Sequence, residues 1–589
     1  MADEPAMTAG RRKSVARATK KKATKPALHY TVSMPDPASH TFHVEIKLSG
    51  TGEFCVLAFP AWTPGSYKIR EFGKNVSGFK AKGAKFEMLD KQRYRISGDC
   101  TVSFDYYADE LSVRTPHLDD THGFFLGTNL LPYLEDVNGL PAKADYTVTI
   151  KPFKGWKVAT SLKGKGSTFH TDNYDVLGDT PFEVGTHSVK SFKVRGIRHD
   201  VAFYGYGNFD ADRIVTDTKK IVETQAKNFG GLPYNYYLFI HHITPDSGGG
   251  LEHLNSCVCA WPSWKFKKEE DYQRFIRLVS HEFFHVWNVK RIRPKILGPF
   301  DYSKEQHTKA LWIMEGMTQY YERLWCARAG VTKPQMVLDS YAETIDREDN
   351  RPGRRVMSLE DSSWLAWTKL YLADENFMNT GVSYYSRGAQ VGLLLDAKIR
   401  NATGGKRSLD DVMRLAFKRW GWPKPGFAEG EWEKLAEEVA GVKLTALWRD
   451  HVRGTKEMHY DEFLDCYGLE LTRDKQGNEP WLGINTDERN GALQVIGVHA
   501  DGPGRKAGLQ PRDEILAIDG NKVSGKSFSD RVSDLKPGAQ CTLTLFRRER
   551  LVSAQLKVAT QPAGKLKLQV SKKQTPQQKR NFRKWMGPG

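Results

Sequence analysis

The run His281-Glu-Phe-Phe-His-Val-Trp-Asn-Val-Lys-Arg-Ile-Arg293 constrains this chain more than any other stretch, because it contains the pattern H-E-x-x-H. On a helix, residues four apart share a face, so His281 and His285 can aim both imidazoles at one metal ion while Glu282 turns toward a water held there. The local text permits a helix: from 271 to 289 there is no Pro or Gly, and Phe275, Leu278, Val279 and Val286 recur at helical spacing. This predicts a zinc-hydrolase centre with Zn²⁺ as cofactor, one per chain. Two histidines alone also suit a buried helix with hydrogen-bonded polar groups, so the reading turns on a third ligand.

Downstream of His285 the acids in range are Asp301, Glu305, Glu315 and Glu322. Glu315 lies in the aromatic, apolar stretch 311–321, where a carboxylate needs a partner such as a cation. Glu305, among Ser303, Lys304, Gln306 and His307, reads as solvated. His281, His285 and Glu315 are therefore the expected metal ligands.

At 589 residues the chain exceeds one core, and about three or four domains are expected. No apolar run of 18 residues occurs, and the basic start is followed by no apolar segment, so neither a membrane span nor a signal peptide is expected and the location reads as cytoplasmic. Seven scattered cysteines, with only Cys257 and Cys259 close, make no disulfide framework. The net charge of +18 is concentrated at the ends: residues 1–27 carry eight Lys/Arg against two acids and 563–589 carry eight against none, which leaves the body only slightly basic. That pattern argues against specific nucleic-acid binding and reads as two solvated basic tails, although Phe582 and Trp585 give the second one apolar anchors that could dock.

Between the tails, the expected fold class is multidomain α+β. Residues 28–194 alternate apolar and polar with frequent turn residues and read as a β-sandwich. Two of its passages, 59–67 and 113–125, are rich in Pro and aromatic residues and read as inter-domain packing rather than substrate contacts. Residues 195–465 read as an α-rich catalytic domain with a small sheet. Residues 466–562 resemble a PDZ domain, most clearly in Ala507-Gly-Leu509 followed by 513–520. There Trp481, Leu482, Gly483 and Ile484 occupy the place of the carboxylate-binding loop, which implies a C-terminal peptide as a possible ligand.

His281-Glu-x-x-His285 with Trp312-Ile-Met-Glu-Gly316 resembles the zinc site of gluzincin metallopeptidases, in which a Glu on a second helix is the third ligand. Within them the chain is most similar to the glycyl aminopeptidase family, which joins an N-terminal β domain, a thermolysin-like catalytic domain and a PDZ domain. Stretches 59–70, 113–133, 281–294 and 382–388 carry that likeness, which covers about 28–560. Relatives typified by aminopeptidase N keep a shorter gap from the second His to the Glu, closer to Glu305, so the ligand assignment rests on W-x-x-E-G.

Gly249-Gly250-Leu-Glu252-His253 resembles the G-x-M-E-N strand whose backbone pairs with substrate and whose Glu receives the α-amine; His253 replaces the Asn. Tyr384-Tyr385-Ser-Arg-Gly388 resembles the segment carrying an oxyanion-stabilising tyrosine, with Tyr385 the aligned residue and Tyr384 its neighbouring alternative. The resemblance implies a zinc aminopeptidase acting on peptides with small N-terminal residues, with Glu282 and Tyr385 catalytic. An endopeptidase, which needs no Glu252, and a catalytically silent PDZ scaffold are the alternatives.

Overall fold

The computed structural model describes residues 25–473, 479–561 and 565–587. The basic tail expected over 1–27 lies outside these, apart from its last three residues.

The N-terminal domain is a β-sandwich, as its alternation requires. In Thr41–Ser49 the side chains of Phe42, Val44, Ile46 and Leu48 are buried and those between them face outward. A seven-stranded sheet and two four-stranded sheets share one core, to which Tyr30 and Val44 contribute from the first and Leu57, Phe125 and Phe182 from the others. The expected boundary at 194 falls too late. Ser188–Val194 forms a hairpin with Ile197–Gly205 inside the catalytic sheet, because Arg195 (φ 50°) and Gly196 (φ 80°) supply the two positive φ values of a tight two-residue turn.

The catalytic domain has a five-stranded mixed sheet in the order 188–194, 197–205, 236–244, 256–262, 249–253, so Gly249–His253 is an edge strand. Against it packs the motif helix, Glu269–Phe284, which ends earlier than the spacing over 271–289 predicts, with His285 as its C-cap. Just beyond it, the Asn288 side-chain amide donates to the carbonyls of Ile313 and Met314, outside the helix. Those carbonyls belong to a π-helical turn, Trp312–Gly316, that continues into Met317–Arg328. Such turns concentrate at functional positions.

The PDZ unit also starts later than 466. Cys466 lies in the helix Asp461–Tyr467, within the catalytic core, and Leu469–Arg473 pairs with Leu566–Val570 outside the PDZ sheet. Residues 565–587, expected to be a solvated basic tail, are folded onto the catalytic domain instead. Thr575 and Gln578 make a capping box for the helix Pro576–Met586, with Pro576 at its first position, and the helix buries Trp585 completely. Its ring stacks on Tyr467 at 4.4 Å and its indole donates to Tyr320 Oη at 3.0 Å. The positive charges lie on the outer face and hid this apolar one. Trp585→Ala is expected to destabilise the protein by about 3–5 kcal/mol, the usual cost of emptying a large aromatic site, measured by denaturant unfolding.

Candidate active site

Three side chains converge from two helices. His281 Nε2 and His285 Nε2 each lie 3.3 Å from Glu315 Oε2. Their other nitrogens are already engaged: His281 Nδ1 is 2.7 Å from Glu322 Oε2, and His285 Nδ1 is 2.5 Å from the Asn288 carbonyl. Acceptors at Nδ1 fix the proton there and leave both Nε2 lone pairs facing inward, the tautomer a metal ligand needs. Glu315 Oε2 is buried without a hydrogen-bond donor. Two inward lone pairs and an orphaned carboxylate oxygen suit a divalent cation, and the donor set of two imidazoles and a carboxylate suits zinc.

Electrostatics describe the site without a cation, where an imidazole proton takes the place that a metal ion would fill. Burial alone would discharge all three groups, yet the mutual attraction between imidazoles and carboxylates outweighs it, raising His281 and His285 and lowering Glu315. Glu282 goes the other way: burial, only partly opposed by the two histidines, lifts its carboxyl to about 7.

Two glycine contacts set this geometry. A Cβ on Gly316 would lie 2.6 Å from Gly388 Cα, so the π turn bearing Glu315 touches the start of the helix Tyr384–Ala402. That crossing places Tyr385 beside His281, ring centroids 6.3 Å apart. Tyr385 lines the cleft, whereas Tyr384 is fully buried with its hydroxyl unpartnered. On the facing edge strand, a Cβ on Gly250 would fall 2.0 Å from Glu282 Oε1, so any side chain there would push Glu282 from its place.

The cleft, about 470 Å³, takes in Gly250, Glu252, His281, Glu282, His285, Glu315 and Tyr385. Gly249, at the strand's start, has φ 97° and is exposed. Ligand atoms of Glu252, Glu282 and His285 all lie within 4.8 Å of one another. Lys290 Nζ is 2.7 Å from Asp179 Oδ1 but 3.7 Å from Glu252 Oε1, so its charge is committed mainly to Asp179. His253 also faces Asp179, at 3.3 Å, and takes no place in the cleft.

Sequence reasoning missed several neighbours. Gly65 and Arg114, from the two passages read as packing, line the cleft, and Arg114 Nη2 donates to the Gly250 carbonyl at 3.1 Å. Tyr371 Oη donates to the Gly65 carbonyl at 3.4 Å. Glu322 was in view but unassigned. Its place seven residues after Glu315, on the same helical face, was the available signal.

Trp481, Leu482, Gly483 and Ile484 lie apart from the cleft, at the start of the PDZ sheet. Leu482 is buried in its core, the Gly483 carbonyl accepts from His499 N at 2.9 Å, and Ile484 opens the edge strand Ile484–Arg489. The PDZ unit is docked on the catalytic domain by Asn379, which exchanges hydrogen bonds with Val498 O and Ala500 N, and by the Arg512–Glu375 ion pair at 2.7 Å.

Among the described residues no helix is long and apolar enough to cross a membrane. Residues 274–391 match the M61 glycyl aminopeptidase family, 29–186 the peptidase M61 N-terminal domain and 480–558 a PDZ domain. An aminopeptidase N family protein from Idiomarina loihiensis is similar in structure with a TM-score of 0.89 and 28% identity, covering 95% of this chain and 100% of that one. An M1 zinc metallopeptidase from Deinococcus radiodurans has a TM-score of 0.47 and 14% identity, over 74% of this chain and 94% of that one. A probable periplasmic serine endoprotease DegP-like from Rhizobium meliloti (strain 1021) is 30% identical over 107 residues, 16% of this chain, and the chain spans only 21% of that relative's length. A β-sandwich, a catalytic domain and a PDZ unit, matched in the same order along one chain and shared with the Idiomarina protein as a whole fold, show that the chain carries the peptidase M61 glycyl aminopeptidase domains together with a PDZ domain.

Proposed function

We propose that this peptidase is a zinc-dependent aminopeptidase that removes small N-terminal residues, Gly or Ala, from peptides. The observation that carries the reading is the closeness of Glu252 to Glu282 and His285, all within 4.8 Å. A peptide's α-nitrogen and first carbonyl carbon are two bonds apart. A carboxylate that holds the amine must therefore sit this near the reacting carbonyl, and Glu252, with Lys290 turned to Asp179, is left to do so.

His281, His285 and Glu315 would hold the zinc, which when bound polarises the carbonyl and makes water acidic enough to attack near neutral pH. Glu282 accepts the proton of the attacking water and returns it to the departing amine. The Tyr385 hydroxyl donates to the oxygen that becomes anionic in the transition state, and the edge strand at Gly249 and Gly250 offers backbone groups to the substrate chain. Tyr385→Phe is expected to lower kcat about 10²–10³-fold with KM little changed, read by steady-state kinetics.

The deciding experiment compares Gly-, Ala-, Leu- and Phe-anilides with their N-acetylated forms. Free-amine substrates with Gly or Ala should be cut and the acetylated forms should not. Glu252→Gln should reduce kcat/KM for free-amine substrates by about 10–100-fold, the range for losing one charged hydrogen bond of about 1.5–3 kcal/mol. Efficient cleavage of acetylated substrates would make the protein an endopeptidase and leave Glu252 without this role. The edge strand Ile484–Arg489, next to Trp481–Ile484, is suited to adding a peptide's C-terminus as a further strand.

A further inference from the structure

Away from the cleft, three histidines close on one buried carboxylate. Glu183, on Pro181–Gly185, has no solvent exposure. His122 Nδ1 lies 3.0 Å from its Oε1, His187 Nδ1 3.9 Å from the same oxygen, and His242 Nε2 2.9 Å from Oε2. All three imidazoles are buried, and among the described residues no Lys or Arg pairs with Glu183. A carboxylate removed from water needs compensating positive charge. One imidazolium would suffice, but here three rings face it, and His187 Nδ1 has no hydrogen-bond partner.

The spacing is that of a coordination shell. With bonds of about 2.0–2.2 Å, neighbouring ligand atoms of a tetrahedral site lie about 3.3–3.6 Å apart. The His122 and His242 nitrogens stand 3.0 and 2.9 Å from the two Glu183 oxygens, and the ligand atoms of His122, Glu183 and His242 all lie within 4.8 Å of one another, as do those of His281, His285 and Glu315. We propose that His122, Glu183 and His242 hold a second divalent metal ion of the zinc class, in a buried structural site, with His187 beside it. Imidazole-rich donors favour zinc over calcium or magnesium, and the complete burial of His122, Glu183 and His242 leaves no approach for a substrate. His122 and Glu183 lie on neighbouring strands of the N-terminal domain, His242 lies on the central catalytic strand Tyr236–Thr244, and His187 immediately precedes the strand that enters the catalytic sheet. The ion would therefore pin the two domains together where the chain crosses between them.

The test is metal content by mass spectrometry on tag-free, full-length protein dialysed free of loose zinc. Wild type should carry two zinc ions per chain. The variant His281→Gln/His285→Gln, which concerns only the cleft, should keep one, and adding Glu183→Gln to it should leave none. One ion in wild type and none in the double variant overturns the proposal, and this comparison decides the matter even where Glu183→Gln fails to fold. An ion retained by the folded triple variant also overturns it.

Discussion

Glu282→Gln is expected to leave the zinc content unchanged and to lower kcat/KM by about 10²–10⁴-fold, the span of a general acid–base group. The substitution keeps size and shape, so the Gly250 backbone can still approach where its Cβ position is 2.0 Å from Oε1. What it removes is the proton acceptor. Burial raises this carboxyl to about 7 in the metal-free site, and a divalent cation at the neighbouring ligands would favour its ionised form. The base is ionised above its pKa. Activity of the wild type should therefore fall as pH drops through a value at or below about 7, and the residual activity of the variant should lack that acid limb. A variant that keeps the limb, or more than about a tenth of wild-type kcat/KM, would move the base elsewhere.

What could be read from sequence follows the range of the interactions involved. His281, Glu282 and His285 lie within one helical turn and a half, so local periodicity places them together, even though the helix stops at Phe284. Glu315 was legible because an acid in apolar text demands a partner. Tyr384 and Tyr385 could not be separated by pattern, since adjacent residues share the same neighbours in sequence. Where the helix crosses the π turn at Gly316 and Gly388 decides which ring faces the cleft. Gly65 and Arg114 come from the other domain and were invisible for that reason. Their Pro and aromatic neighbours serve packing as well, as Trp62 against Trp367 shows at 5.1 Å, and that use masked the approach to the site. At the C-terminus the density of Lys and Arg pointed to solvent and outweighed Phe582 and Trp585 in the reading. The whole-chain charge said nothing of where each charge would face.

Glu315→Ala should abolish turnover and the metal equivalent at this site, and its effect on stability should change sign with metal. With zinc present, the wild type gains binding free energy that the variant, with two ligands left, cannot collect. At a thousandfold excess over Kd that is about 4 kcal/mol, visible as a higher melting temperature. With zinc removed, Glu315 is a liability: its Oε2 is buried without a hydrogen-bond donor, and its charge is offset only if a buried imidazole takes a proton. Chelated Glu315→Ala should then melt at or above the chelated wild type. Because any ion at Glu183 is common to both proteins, the difference between them isolates the site at His281 and His285. If Glu315 instead held the helices together as an ordinary buried ion pair, the variant would be destabilised with or without chelator. A loss that does not depend on metal would thus remove Glu315 from the ligand set and return Glu305 to consideration.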